Sequence, residues 1–244
     1  MIDGVGMAKQ LKVPSLQHMA RIWRPDAEAI KKVLVRLATH GPTFSYAPLF
    51  KIVHEMLVFK TPYEVSLEAV RRISREDVRK NFLGIMPLIN DYFSQVRPAY
   101  VHEVTPRLYS LSRDIQIPFA PPLMYGVGGE VIFPWLSFWK SNPLEGEALS
   151  LFVTIVEELI LQDSDLEDAH FRILDFSAEE VRGPRRLRVI PASEIPRVSL
   201  ERKAEMLLVF ADGFRLARNH LQGFADGDTA SDSDSVHPDQ MSLL

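Results

Sequence analysis

The stretch NPLEGEALSLFVTIVEELILQD, residues 142–163, restricts the fold more than any other part of the chain. Leu144, Ala148, Phe152, Ile155, Val156 and Leu159 recur at helical spacing, and Asn142 before Pro143 suits a helix start. A helix this apolar is unstable in water and must be covered. The flanking sequence supplies the cover. PLMYGVGGEVIFPWLSFW precedes it, and FRILDFS and RRLRVIPA follow it, all β-branched or aromatic runs broken by Pro and Gly. The helix is therefore expected to lie across a sheet, with GVGG at 126–129 turning a hairpin and AEEVRGP joining two further strands.

Residues 25–97 read as helical. Ile30, Val33, Leu34 and Leu37 form one stripe, with Pro25 at its start and Gly41 at its stop. Leu49, Ile52, Val53, Met56 and Leu57 form a second, ended by Thr61-Pro62. Val78, Phe82, Ile85, Met86, Ile89 and Phe93 form a third, preceded by Ser74 and Asp77 at capping-box spacing and interrupted at Gly84 and Pro87. From about residue 98 short strand-like runs take over: AYVHEV, RLYSLS and IQIPF. A final helix from Ser199 to about Leu221 is expected to bury Leu200, Ala204, Leu207, Ala211 and Phe214. The fold class that follows is α+β, with a helical N-terminal half and a mixed or antiparallel sheet with packing helices in the second half. The expected regions are 1–97 and 98–223, forming one compact unit, then an acidic linker over 224–239 and a terminal peptide, 240–244. The linker holds Asp226, Asp228, Asp232, Asp234 and Asp239, has no Lys or Arg, and has almost nothing to bury, so disorder is expected there.

Charge and composition limit the chemistry. The formal net charge is −4, and the five aspartates of that linker account for all of it, so the body is close to neutral and lacks the bulk charge to coat nucleic acid or membrane. There is no cysteine, which removes disulfides, thiolate catalysis and cysteine-bound zinc. No signal-peptide pattern and no long apolar run is present, and a cytoplasmic location is expected. DGVGMAK at 3–9 lacks the Gly and Lys-Ser/Thr spacing of a phosphate loop, no Gly-x-Ser-x-Gly occurs, and the seven histidines form no H-E-x-x-H pair. No metal or cofactor is expected.

Two weaker features remain in the body. Asp175 ends the apparent strand FRILDFS after a run of carboxylates, a position suited to a metal-dependent nuclease. The neighbouring strand, RLRVIP, lacks the acidic-x-Lys element of restriction-type nucleases, so the alternative is a carboxylate that caps a strand end. VRGPRRLR places Arg182, Arg185, Arg186 and Arg188 around a turn, where guanidinium groups could meet phosphates, although Glu179 and Glu180 stand ready to pair with them.

The peptide Gln240-Met241-Ser242-Leu243-Leu244 closes the acidic stretch. Its pattern, Gln, any residue, Ser or Asp, Leu, then Leu or Phe, resembles the short motif by which bacterial polymerases, mismatch-repair proteins and replication regulators bind the ring-shaped DNA polymerase sliding clamp. The resemblance covers these five residues and implies a bacterial or phage protein with the clamp as partner. It also implies that Leu243 and Leu244 enter an apolar pocket, Met241 packs beside it, and Gln240 hydrogen-bonds at a second subsite. Two leucines and a methionine, each contributing about 1.5–3 kcal/mol less the cost of ordering the peptide, correspond to micromolar-class binding. A linker of about 15 residues reaches roughly 20 Å. The expected function is non-catalytic clamp occupancy that competes with polymerase and inhibits or modulates replication, as a toxin-like protein or a regulator does. The alternatives are a clamp-tethered nuclease or recombination factor, with DNA reached through the clamp or the Arg-rich turn, and a scaffold module with an incidental tail.

Overall fold

The computed structural model describes residues 11–40, 45–140, 144–180 and 183–231. It is an α+β protein whose internal contacts divide it into two compact units. Of the described residues, one unit takes those within 14–21 and 43–203, and the other those within 1–13, 22–42 and 204–244. The larger unit spans both sides of residue 97, where the sequence changes texture.

In that larger unit, short helices come first: α1 (Leu16–Ile22, its last residue assigned to the other unit), α3 (Ala47–Leu57), α4 (Tyr63–Arg71), α5 (Glu76–Leu83) and α6 (Met86–Val96). The interruption expected at Gly84 and Pro87 separates α5 from α6, with Pro87 in the first turn of α6, where a missing N–H costs nothing. The capping box expected from Ser74 and Asp77 does not form. Arg75 is the N-cap residue, and its guanidinium holds the Asp77 carboxylate at 2.8 and 2.9 Å, a contact that takes the place of the expected one with Ser74.

The strands are β1 (Tyr100–His102), β2 (Arg107–Ser112), β3 (Ile115–Phe119), β4 (Met124–Val127), β5 (Glu130–Ser137), β6 (His170–Asp175) and β7 (Arg188–Pro191). They form a five-stranded sheet in the order β1-β4-β5-β6-β7 and a separate β2–β3 hairpin. The β4–β5 turn uses Gly128 and Gly129 at φ 59° and 86°, the doubly positive geometry that suits the strand twist. Every pairing in the sheet is antiparallel except β5 with β6, which are parallel and joined by α7 (Gly146–Leu161). Parallel neighbours require such a crossover, because a tight turn cannot reverse the chain twice.

The sheet is covered on both faces. On one, Leu49, Val53, Phe82, Ile89 and Phe93 of the N-terminal helices pack with Tyr125, Ile132, Leu136, Leu174 and Phe176. On the other, Phe152 of α7 lies 4.6 Å from Trp135, 5.9 Å from Phe171 and 6.0 Å from Phe119, ring centre to ring centre. These are the edge-on and tilted approaches that aromatic quadrupoles favour. Phe152, Ile155, Val156 and Leu159 of α7 are buried as the sequence indicates, while Ala148 is half-buried and Leu151, Val153 and Ile160 are buried as well, and the helix starts later. Leu144 is buried ahead of it, Glu145 is the N-cap residue, and residues 141–143, including Asn142, lie outside the described residues.

In the second unit, α2 (Ala27–His40) buries Ile30 and Leu34, while Leu37 is 45% exposed. The last helix, α8 (Leu200–Ser231, its residues before Ala204 assigned to the larger unit), runs past the expected stop near Leu221. Its buried arc is centred on Met206, Phe210, Phe214 and Ala217, which moves two expected core residues outward: Leu200 is 72% exposed and Ala204 is exposed as well. Leu207, Ala211 and Phe214 are buried as expected. Among the described residues no helix is long and apolar enough to cross a membrane.

Candidate functional site

The carboxyl ends of β5 and β6 bring the body's candidate residues together. Asp175 ends β6, in register with Ser137 of β5 on one side and Arg188 of β7 on the other. It is only 2% exposed, and its carboxylate is fully engaged. Oδ1 accepts the Ser177 backbone N–H at 3.1 Å, an Asx-type turn that ends the strand. Oδ2 accepts the Ser177 hydroxyl at 2.9 Å and two donors of Arg188, Nε at 3.1 Å and Nη2 at 2.5 Å. A buried carboxylate is tolerated where its charge is matched and its lone pairs are filled, and this one meets both conditions. Ser137 is also buried, and its hydroxyl has no hydrogen-bond partner among the described residues.

The arginines of the neighbouring turn divide by role. Arg185 reaches from an isolated bridge with Ala178 into the helical layer. There it donates to the Phe176 carbonyl at 2.6 Å, to Asn81 Oδ1 at 3.1 Å and to the Tyr46 hydroxyl at 3.2 Å. Burial pushes the Arg185 guanidinium below its usual pKa, opposed by the adjacent Tyr46 hydroxyl. Arg186 pairs with Glu179 at 2.9 Å on the open surface, where both side chains are more than half exposed. Arg188 is half exposed and pairs with Asp175. Arg182 lies outside the described residues, as do Gln240, Met241, Ser242, Leu243 and Leu244.

The predicted residues of the body are thus adjacent, but each described one is held by a partner within the chain. Asp175 faces a guanidinium, and among the described residues no three His, Asp or Glu side chains converge in a way that could hold a metal ion. The arrangement as it stands ties three strands and the helical layer to one another at the carboxyl end of the sheet.

Two polar contacts join residues that the sequence does not relate. His54 Nε2 lies 2.8 Å from Glu103, linking α3 to the chain that leaves β1. Tyr92 of α6 and Tyr125 of β4 meet hydroxyl to hydroxyl at 2.6 Å, with the guanidinium of Arg172 beside both. The one sequence signal for this cluster is an arginine inside the otherwise apolar run FRILDF. The chain matches no protein-family model, and no curated protein matches its sequence.

Proposed function

We propose that this chain is a non-catalytic binding protein for the bacterial DNA polymerase sliding clamp. In this reading it occupies the clamp's peptide pocket, competes with polymerase, and slows or modulates replication in the manner of a regulator or a toxin-like inhibitor. The observation that carries the reading is the pentapeptide Gln240-Met241-Ser242-Leu243-Leu244, three apolar side chains and one amide following an aspartate-rich stretch free of lysine and arginine. Such a segment has little apolar surface with which to bury its own leucines, whereas a pocket on a partner gains their transfer free energy. The body lends support to occupancy over nuclease action. Asp175, the carboxylate a nuclease would need, is buried against Arg188, and Arg185 is committed to Asn81, Tyr46 and Phe176.

Calorimetric titration of the full chain into purified bacterial sliding clamp tests the proposal. Micromolar-class binding is expected. It is lost in the Leu243→Ala/Leu244→Ala double variant and weakened in Gln240→Ala, with the melting temperature unchanged in both. Retained affinity in the double variant removes the assignment. Residues 225–244 fused to an inert carrier then separate occupancy from recruitment: the fusion alone should inhibit clamp-dependent synthesis, and binding without inhibition would pass the activity to the body.

A further inference from the structure

Arg172 sits in the middle of β6 between the buried side chains of Phe171 and Ile173. A partly buried arginine in a sheet ordinarily finds a carboxylate across the strand. Here its register partners are Pro134 in β5 and Pro191 in β7, and a proline side chain offers no acceptor. Among the described residues no carboxylate comes within ion-pair distance of Arg172, and its side-chain hydrogen bonds go to the hydroxyls of Tyr92 and Tyr125. What lies beside the guanidinium is a pair of phenols, Tyr92 and Tyr125.

The protons of that pair can be assigned by burial. Tyr125 is wholly buried, and its hydroxyl has one neighbour able to accept, the Tyr92 oxygen 2.6 Å away. An unsatisfied buried hydroxyl is costly, so Tyr125 donates to Tyr92. Tyr92 is partly exposed and keeps its own proton, which is left to point away from Tyr125 toward solvent. Burial, and the hydrogen bond to Tyr92 after it, raise the Tyr125 pKa, so the phenol stays neutral and cannot serve as the counter-ion of Arg172. The cluster therefore holds a full positive charge that no carboxylate matches, guanidinium N–H groups beyond those bonded to the two hydroxyls, and one phenol O–H.

We infer that Arg172 and Tyr92 form a binding site for a single oxyanion group, a phosphate or a carboxylate, carried by a small molecule. The guanidinium supplies the planar fork that matches such a group, and the Tyr92 hydroxyl supplies a third donor from the helix that faces the strand. Tyr125 is a positioning residue: it holds Tyr92 as a donor to the ligand. The site lies wholly within the larger unit and involves no part of the terminal peptide.

The test is a titration of the full chain with sodium phosphate and, separately, sodium acetate at constant ionic strength, with chloride as the background ion. It is followed through the arginine Nε–H resonances. A saturable shift of one arginine is expected, lost in Arg172→Gln, with affinity reduced about tenfold or more. Tyr92→Phe removes one oxygen and leaves the ring, and it should weaken binding several-fold. Tighter binding of phosphate than of acetate assigns the site to a phosphate group, and the reverse order assigns it to a carboxylate. The inference is overturned if neither anion gives a saturable shift, or if Arg172→Gln with a native circular dichroism spectrum binds as the parent does. Should Arg172→Gln fail to fold, parental affinity in Tyr92→Phe overturns it equally.

Discussion

Arg188 grips a single oxygen of Asp175 with two of its donors, Nε at 3.1 Å and Nη2 at 2.5 Å, and the two partners differ sharply in exposure: the Asp175 side chain is 3% accessible and that of Arg188 49%. The pair is therefore asymmetric in what each loss leaves behind. Asp175→Asn leaves a guanidinium that water can reach. Arg188→Met leaves a buried carboxylate supported by Ser177 alone. The expected cost is about 1–2 kcal/mol for the first and about 3 kcal/mol or more for the second, read from urea unfolding midpoints at neutral pH. Equal, negligible costs would mean that the contact holds nothing together and would reopen a catalytic role for Asp175.

Neighbouring arginines in the same turn give opposite expectations. Arg185 donates to the Phe176 carbonyl, Asn81 and Tyr46, so Arg185→Ala leaves several part-buried acceptors unfilled and should cost about 2–3 kcal/mol. Among the described residues the Arg186 side chain meets Glu179 alone, with both side chains well exposed, so Arg186→Ala should stay within about 0.5 kcal/mol. Differential scanning calorimetry of the two variants checks the contrast. A stable Arg185→Ala protein would return that residue to the pool of groups available to phosphates.

Tyr125 ties stability to alkaline pH. Its folded-state pKa lies above the usual tyrosine value, mainly through burial and next through the Tyr92 hydroxyl. A group held protonated in the fold contributes fully below its unfolded pKa, near 10, and loses that contribution as pH rises beyond it. Above about pH 10, unfolding releases one more proton from this site, steepening the loss of stability by about 1.4 kcal/mol per pH unit. Tyr125→Phe should be less stable at pH 7, because Tyr92 and Arg172 lose a partner, yet flatter by one proton above pH 10. An unchanged alkaline slope in the variant would rule out Tyr125 as the titrating group.

Local pattern makes most of the elements legible and few of their partners. The stripes of α2, α3 and α7, the division at Gly84 and Pro87, and all seven strands are marked by apolar spacing and by Pro or Gly breaks. α4 escapes such a reading because it buries only Ser66 and Val70, too little to draw a stripe. α1, a seven-residue helix, gives no signal either, although Leu16, Met19 and Ala20 are fully buried. The candidate site is half legible. A carboxylate at a strand end and a run of arginines are visible, and Glu179 is a foreseeable partner for one of them. What sequence does not supply is register. Ser137, Asp175 and Arg188 become neighbours only because α7 carries the chain from β5 to a parallel β6, and β7 then folds back on β6. Arg172 meets two tyrosines from elements far apart in the chain for the same reason.

Two glycines of α8 make opposite demands on the same substitution. A methyl group on Gly213 would lie 2.7 Å from Ile30 Cβ and 2.8 Å from the Ala27 carbonyl oxygen, both in the first turn of α2. The carbonyl belongs to helix backbone, so relief requires the two helices to part. Gly213→Ala should therefore cost about 1–3 kcal/mol from overpacking, more than the gain of about 1 kcal/mol that alanine brings to a helix interior. A methyl group on Gly223 would have nothing within 4 Å, so only the difference in helix propensity operates and Gly223→Ala should stabilise by about 0.5–1 kcal/mol. Thermal unfolding of the two single variants decides the matter. A stabilised Gly213→Ala protein would mean that α2 and α8 do not cross at this distance, and an unaffected Gly223→Ala protein would mean that the helix has frayed before that residue.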